Sequence, residues 1–144
     1  EERLVDAMAA KMMDPEFNSG LQVFVMPNLY GDIITDIAAE HQGGLGTACS
    51  ANMGDEYALF EAIHGTAPFL IAHNRAQYAD PCSLIRAVGM MLAHIGFADR
   101  SAKLDQALDR CTRTERRVII TTDKDGATTE EFTDYLIETI GKLA

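Results

Sequence analysis

Asp32 and Asp36 stand four positions apart in the run Asn28-Leu29-Tyr30-Gly31-Asp32-Ile33-Ile34-Thr35-Asp36. On a helix, carboxylates at that spacing share one face, with Cβ atoms about 5–6 Å apart. Such a pair offers hard oxygen donors to one cation. Mg²⁺ is commonly held by one or two carboxylates while waters or substrate oxygens complete its shell, and Mn²⁺ suits the same donors. An isolated D-x-x-x-D is more often bland, with Asp32 capping a positive helix N-terminus and Asp36 on a solvated face. A second run, Phe60-Glu61-Ala62-Ile63-His64-Gly65-Thr66-Ala67-Pro68, reads as a strand entering a turn of small residues. Backbone amides in such a turn could approach an anion or an adenine ring. Alone, H-G-T-A-P is equally an ordinary turn, and no G-x-G-x-x-G follows a strand, so the usual dinucleotide fingerprint is missing.

The elements that must position these residues alternate along the chain. Leu4, Val5, Met8 and Met12 predict a helix over 2–13, ended by Asp14-Pro15 because the residue before proline is pushed out of the α region. Leu21 to Met26 reads as a short strand between Gly20 and Pro27. Ile33, Ile34 and Ile37 predict a helix over 32–42 that carries the carboxylates, with Gly31 before it and Gly43-Gly44 as its stop. Gly43 to Gly54 is rich in Gly, Ser, Ala and Asn and predicts a close backbone approach or a crossing between domains. Tyr57 to Ile63 is a strand, 69–80 a polar irregular loop, and Pro81 opens a helix to about Ile95. A further helix is expected over 99–113, a strand over Val118 to Thr121, and a final helix to Leu143 capped by Thr128 or Thr129. Strands alternating with helices indicate the α/β class.

Composition narrows the function. With 144 residues and 47% hydrophobic content the chain can bury about one domain's core. No apolar stretch approaches the ~18–20 residues of a membrane span, and no signal peptide opens the chain. The net charge of −10 argues against a sequence-independent hold on nucleic acid. Cys49, Cys82 and Cys111 are odd in number and widely separated, which fits a reduced cytoplasmic compartment better than a disulfide framework or a zinc site.

Taken jointly, several runs resemble the metal-dependent β-decarboxylating dehydrogenases, the family of isocitrate, 3-isopropylmalate, homoisocitrate and tartrate dehydrogenases. They are Pro27 to Ile33 with Thr35-Asp36, then Gly43-Gly44-Leu45-Gly46, Ser50-Ala51-Asn52-Met53-Gly54, Phe60 to Pro68, and the helix with Met90-Met91-Leu92. They fall in the family's order and cover most of the chain. The run Gly54 to Ala62 looks most like isocitrate dehydrogenases. The resemblance implies the C-terminal portion of the isocitrate/isopropylmalate dehydrogenase-like fold, which is not a Rossmann domain. It places the end of the dimer-forming domain at 1–42 and part of the cofactor-binding domain at 43–144.

The same resemblance implies roles. Asp32 and Asp36 match metal ligands from one protomer, and Asp6 matches the carboxylate given across a homodimer to the partner's metal. Glu61 matches the residue near the nicotinamide; His64, Gly65 and Ala67 match the loop around the adenosine. The implied reaction is oxidation of a 2-hydroxy acid by NAD or NADP with Mg²⁺ or Mn²⁺, then loss of CO₂, as from isocitrate to 2-oxoglutarate in the tricarboxylic acid cycle. The groups that grip substrate carboxylates and move protons belong to the family's N-terminal half, so no catalytic residue is expected in this chain and the chain alone should be inactive. Phe69-Leu70 stands where NAD users carry Asp-Ile and many NADP users Lys-Tyr, and Asp80-Pro81 where Asn-Pro is usual. Absence of the NADP set near Thr122 to Gly126 tilts the expectation to NAD, although Arg75 in the long loop could serve a 2′-phosphate. The alternative of another class is a non-catalytic acidic module that oligomerises or binds a nucleotide or divalent ion.

Overall fold

The computed structural model describes residues 4–20 and 23–143 and divides into two compact units, Glu1–Leu45 and Gly46–Ala144. In the first unit, helix α1 (Val5–Lys11) buries Met8. Asp14 closes the next turn: its carboxylate takes the Lys11 ammonium at 2.8 Å and the Glu16 amide at 3.0 Å. The lysine bond, then the amide bonds, hold that carboxyl below its usual range. The strand expected over Leu21–Met26 is not formed where it can be seen. Residues 21 and 22 lie outside the described part, and 23–26 have no regular structure. Val23 and Val25 are 84% and 95% exposed, so the apolar pattern has no ladder partner among the described residues to turn it into a strand.

Helix α2 (Asn28–Gln42) starts four residues earlier than its apolar spacing indicates. Pro27 is extended, and the Gly31 amide donates to the Pro27 carbonyl at 2.9 Å, so Gly31 lies inside the first turn rather than breaking the chain. A helical glycine costs only about 1 kcal/mol against alanine, which the remaining turns outweigh. Gly43 ends the helix at φ 137°, a conformation open to glycine. Ile34 and Ala39 form the buried side of α2.

In the second unit, β1 (Cys49–Met53) and β2 (Ala58–Ala62) make an antiparallel pair with Ala51 opposite Phe60. Part of the Gly/Ser/Ala/Asn-rich stretch is therefore a strand, because pairing with β2 overrides its poor propensity. One face of the pair packs on α4 (Cys82–His94): Cys49 Sγ is 3.2 Å from Met90 Sδ, and the Phe60 and His94 rings are 5.4 Å apart. The segment 69–80 is more ordered than a polar loop. Pro68 sits in the first turn of α3 (Pro68–Ala72), followed by a 3-10 turn Ala76–Tyr78, because proline presets the helical φ.

Helix α5 (Ala98–Asp109) runs into a π-helical turn Arg110–Glu115, and α6 (Thr129–Lys142) returns across both. Leu108, Cys111, Phe132 and Leu136 are the centre of the core, with Cys82 and Tyr135 at its edge. Burial pushes the Cys82 thiol up, with the Asp80 carboxylate adding to it, so this sulfur is a packing group. Ser101 donates to the Gly89 carbonyl at 2.8 Å where α4 and α5 touch. Val118–Thr121 is not a strand. Val118 and Ile120 pack against the helical core with Ile119 outward, an alternation without a ladder. Thr128 is the cap of α6, in a reciprocal box with Glu131, while Thr129 instead donates to the Ala79 carbonyl at 2.6 Å.

Candidate functional site

The two carboxylates of α2 are both exposed, on the side of the helix away from Ile34 and Ala39. Thr35 donates its hydroxyl to the Gly31 carbonyl at 2.7 Å, which leaves that hydroxyl committed to the helix. No lysine or arginine among the described residues neutralises Asp32 or Asp36. A pair of exposed, unneutralised carboxylates one turn apart suits a hard divalent cation. Asp6, on α1, accepts the amide of Ala7 at 2.7 Å. Among the described residues no group of three or more acidic, His or Cys side chains converges on a metal position, so Asp6 does not join the Asp32–Asp36 pair within this chain.

The second group of candidates lies on the run from β2 to α3. Glu61 faces outward on β2, and its Oε1 accepts from Asn52 Nδ2 at 2.6 Å, a cross-strand bond that fixes the carboxylate's direction. The chain then turns through His64 and Gly65, whose carbonyl lies 3.0 Å from His64 Nδ1. Ala67 has φ 47° and ψ 57°, the left-handed region, just before Pro68 opens α3. A side chain there costs roughly 1–2 kcal/mol, so a small residue suits the turn. His64, Gly65 and Ala67 thus form one short exposed turn next to Glu61.

Arg75 is placed otherwise than a solvent-facing loop arginine. Its side chain is only 18% exposed. The guanidinium lies 5.7 Å from the Phe69 ring centroid, Nε donates to the Thr122 carbonyl at 3.0 Å, and Nη2 reaches the same oxygen and the Asp123 carboxylate at 3.3 Å. Thr122 has φ 60°, and the loop closes through the Ala127 amide to the Ile119 carbonyl at 2.8 Å. The sequence alone gives Asp123 no role, and Asn52 none beyond its place in the run Ser50 to Gly54. The Glu61–Asn52 bond follows once the hairpin register is known, whereas nothing local ties residue 75 to residue 123.

A sequence profile described as isocitrate/isopropylmalate dehydrogenase matches residues 1–140. The chain belongs to this family. It is 36% identical over 147 residues to an isocitrate dehydrogenase [NADP] of Rickettsia bellii, covering 99% of this chain and 29% of that protein. It is 37% identical over 142 residues to a mitochondrial regulatory subunit of isocitrate dehydrogenase [NAD] from Dictyostelium discoideum, covering 97% of this chain and 38% of that one. The crystal structure of isocitrate dehydrogenase from Methylococcus capsulatus superposes with a TM-score of 0.83 at 36% identity, over 96% of this chain and 40% of that one. The fold is therefore part of the isocitrate/isopropylmalate dehydrogenase fold, α/β as expected. The chain spans less than half the length of these relatives. Among the described residues no helix is long and apolar enough to cross a membrane.

Proposed function

We propose that this chain is the C-terminal part of a metal-dependent dehydrogenase that oxidises and decarboxylates a 2-hydroxy acid, with isocitrate as substrate and 2-oxoglutarate as product, in the cytoplasm. The observation that carries this is the exposed Asp32–Asp36 pair in a chain that belongs to this family. Asp32 and Asp36 would hold Mg²⁺ or Mn²⁺. Bound there, the cation supplies Lewis-acid stabilisation of negative charge on the substrate oxygen. Asp6, on α1, would serve the partner's cation in a homodimer.

On this reading residues 1–42 end the dimer-forming domain and 43–144 belong to the cofactor-binding domain. Asn52 holds the Glu61 carboxylate, which would stand near the nicotinamide, and His64, Gly65 and Ala67 would hold the adenosine. The cofactor we favour is NAD, since Arg75 is already engaged by Asp123; the relatives' names include both NAD and NADP forms.

The test is Asp32→Asn in the product of the complete open reading frame, with metal affinity read by titration calorimetry and by the Mn²⁺ dependence of turnover. Loss of one anionic ligand should weaken binding about tenfold or more. Asp32 is exposed, so stability should stay within about 0.5 kcal/mol. An unchanged metal dependence would remove the assignment.

A further inference from the structure

Arg75 and Asp123 lie 48 positions apart in sequence yet form one ion pair, and it sits on the segment that follows the His64–Ala67 turn. The Arg75 amide also bonds to the Leu70 carbonyl at 2.7 Å, and its guanidinium lies against Phe69, two residues beyond Ala67. Three engagements hold the guanidinium: a ring face, a carbonyl and a carboxylate. The carboxylate partner is itself fixed, because the Lys124 amide donates to Asp123 Oδ1 at 2.7 Å and the Asp123 amide donates to Thr121 Oγ1 at 3.2 Å.

Resting on the cofactor reading above, we propose that Asp123 is a specificity-determining residue that makes this surface reject a 2′-phosphorylated adenine nucleotide. Its means is the ion pair that keeps Arg75 occupied. A phosphate dianion approaching Arg75 must displace a carboxylate already bonded to it and then lie beside that carboxylate's charge. Like charges at such a distance repel, whereas a ribose 2′-hydroxyl brings no charge and meets no such penalty. Asp123 is 59% exposed, so the penalty is screened and moderate rather than absolute. With Asp123 neutralised, Arg75 keeps its Thr122 bonds through Nε and Nη2, and the N–H that faced the Asp123 carboxylate is released to donate to phosphate oxygens.

The test uses the product of the complete open reading frame, with dissociation constants for NAD⁺ and NADP⁺ measured by calorimetry. Asp123→Asn should shift the ratio of the two constants towards NADP⁺ by about fivefold or more. Asp123→Glu, which keeps the charge, should retain the wild-type ratio. The gain should vanish in the Asp123→Asn, Arg75→Ala double variant. An unchanged ratio in Asp123→Asn, or a gain that survives removal of Arg75, would overturn the proposal while leaving the cofactor reading standing. Wild-type protein that binds neither nucleotide would overturn the cofactor reading and this inference with it.

Discussion

Gly126 sits where a methyl group has no room, and Gly126→Ala sets two effects of opposite sign against each other. A Cβ there would lie 2.7 Å from the backbone nitrogen of Thr121 and closer still to its hydroxyl, whereas ordinary contact begins at 3.4 Å. The loop must therefore open by about 0.7 Å. Rotating Thr121 offers no escape, since its Oγ1 donates to Asp125 Oδ1 at 2.8 Å and accepts the Asp123 amide at 3.2 Å. The opposing term is a stabilisation of about 0.4–1 kcal/mol, because alanine has fewer unfolded conformations than glycine. Overpacking costs about 1–3 kcal/mol. The blocking atom is backbone, so overpacking wins and the net loss is about 1–2 kcal/mol. For a unit of this size that lowers Tm by about 5–15 °C. Differential scanning calorimetry reads the shift, and amide exchange at Ala127, whose N–H closes the loop on Ile119, should accelerate. An equal or higher Tm would refute the argument, because it would mean that the loop yields freely and the unfolded-state term dominates.

Two further substitutions test other elements. Leu108→Ala empties a side chain with no exposure in the α5–α6 core and should cost about 3–5 kcal/mol by urea denaturation; a loss under about 1 kcal/mol would show that the core collapses around the gap. Glu131 is held below the usual glutamate range by the Thr128 amide and hydroxyl. Its contribution to the α6 cap is therefore present above that range and lost as pH falls through the lowered value, so Glu131→Gln should flatten the acid limb of Tm against pH. A limb identical to wild type would show that the capping bond carries no proton linkage.

Local signals in the sequence were enough to specify several features. The spacing of Asp32 and Asp36 with Ile33, Ile34 and Ile37 required only helical periodicity to put both carboxylates on one face. Thr128 or Thr129 marks the start of α6, and Gly43-Gly44 the end of α2, because caps act over one turn; the structure selects Thr128 through its reciprocal bonds with Glu131. The run His64 to Pro68 was legible as a turn of small residues before any contact was known. What the sequence misassigned depended on partners far along the chain. Residues 23–26 and Val118–Thr121 have strand-like residues but no ladder among the described residues, whereas Cys49–Met53 has poor strand residues and becomes β1 because β2 pairs with it. Strand formation is a property of two segments, so one segment's composition cannot decide it. Arg75 shows the same for the site. Its charge and loop position permit either a solvent-facing or a phosphate-binding residue, and only the folded chain brings Thr122 and Asp123 to its guanidinium.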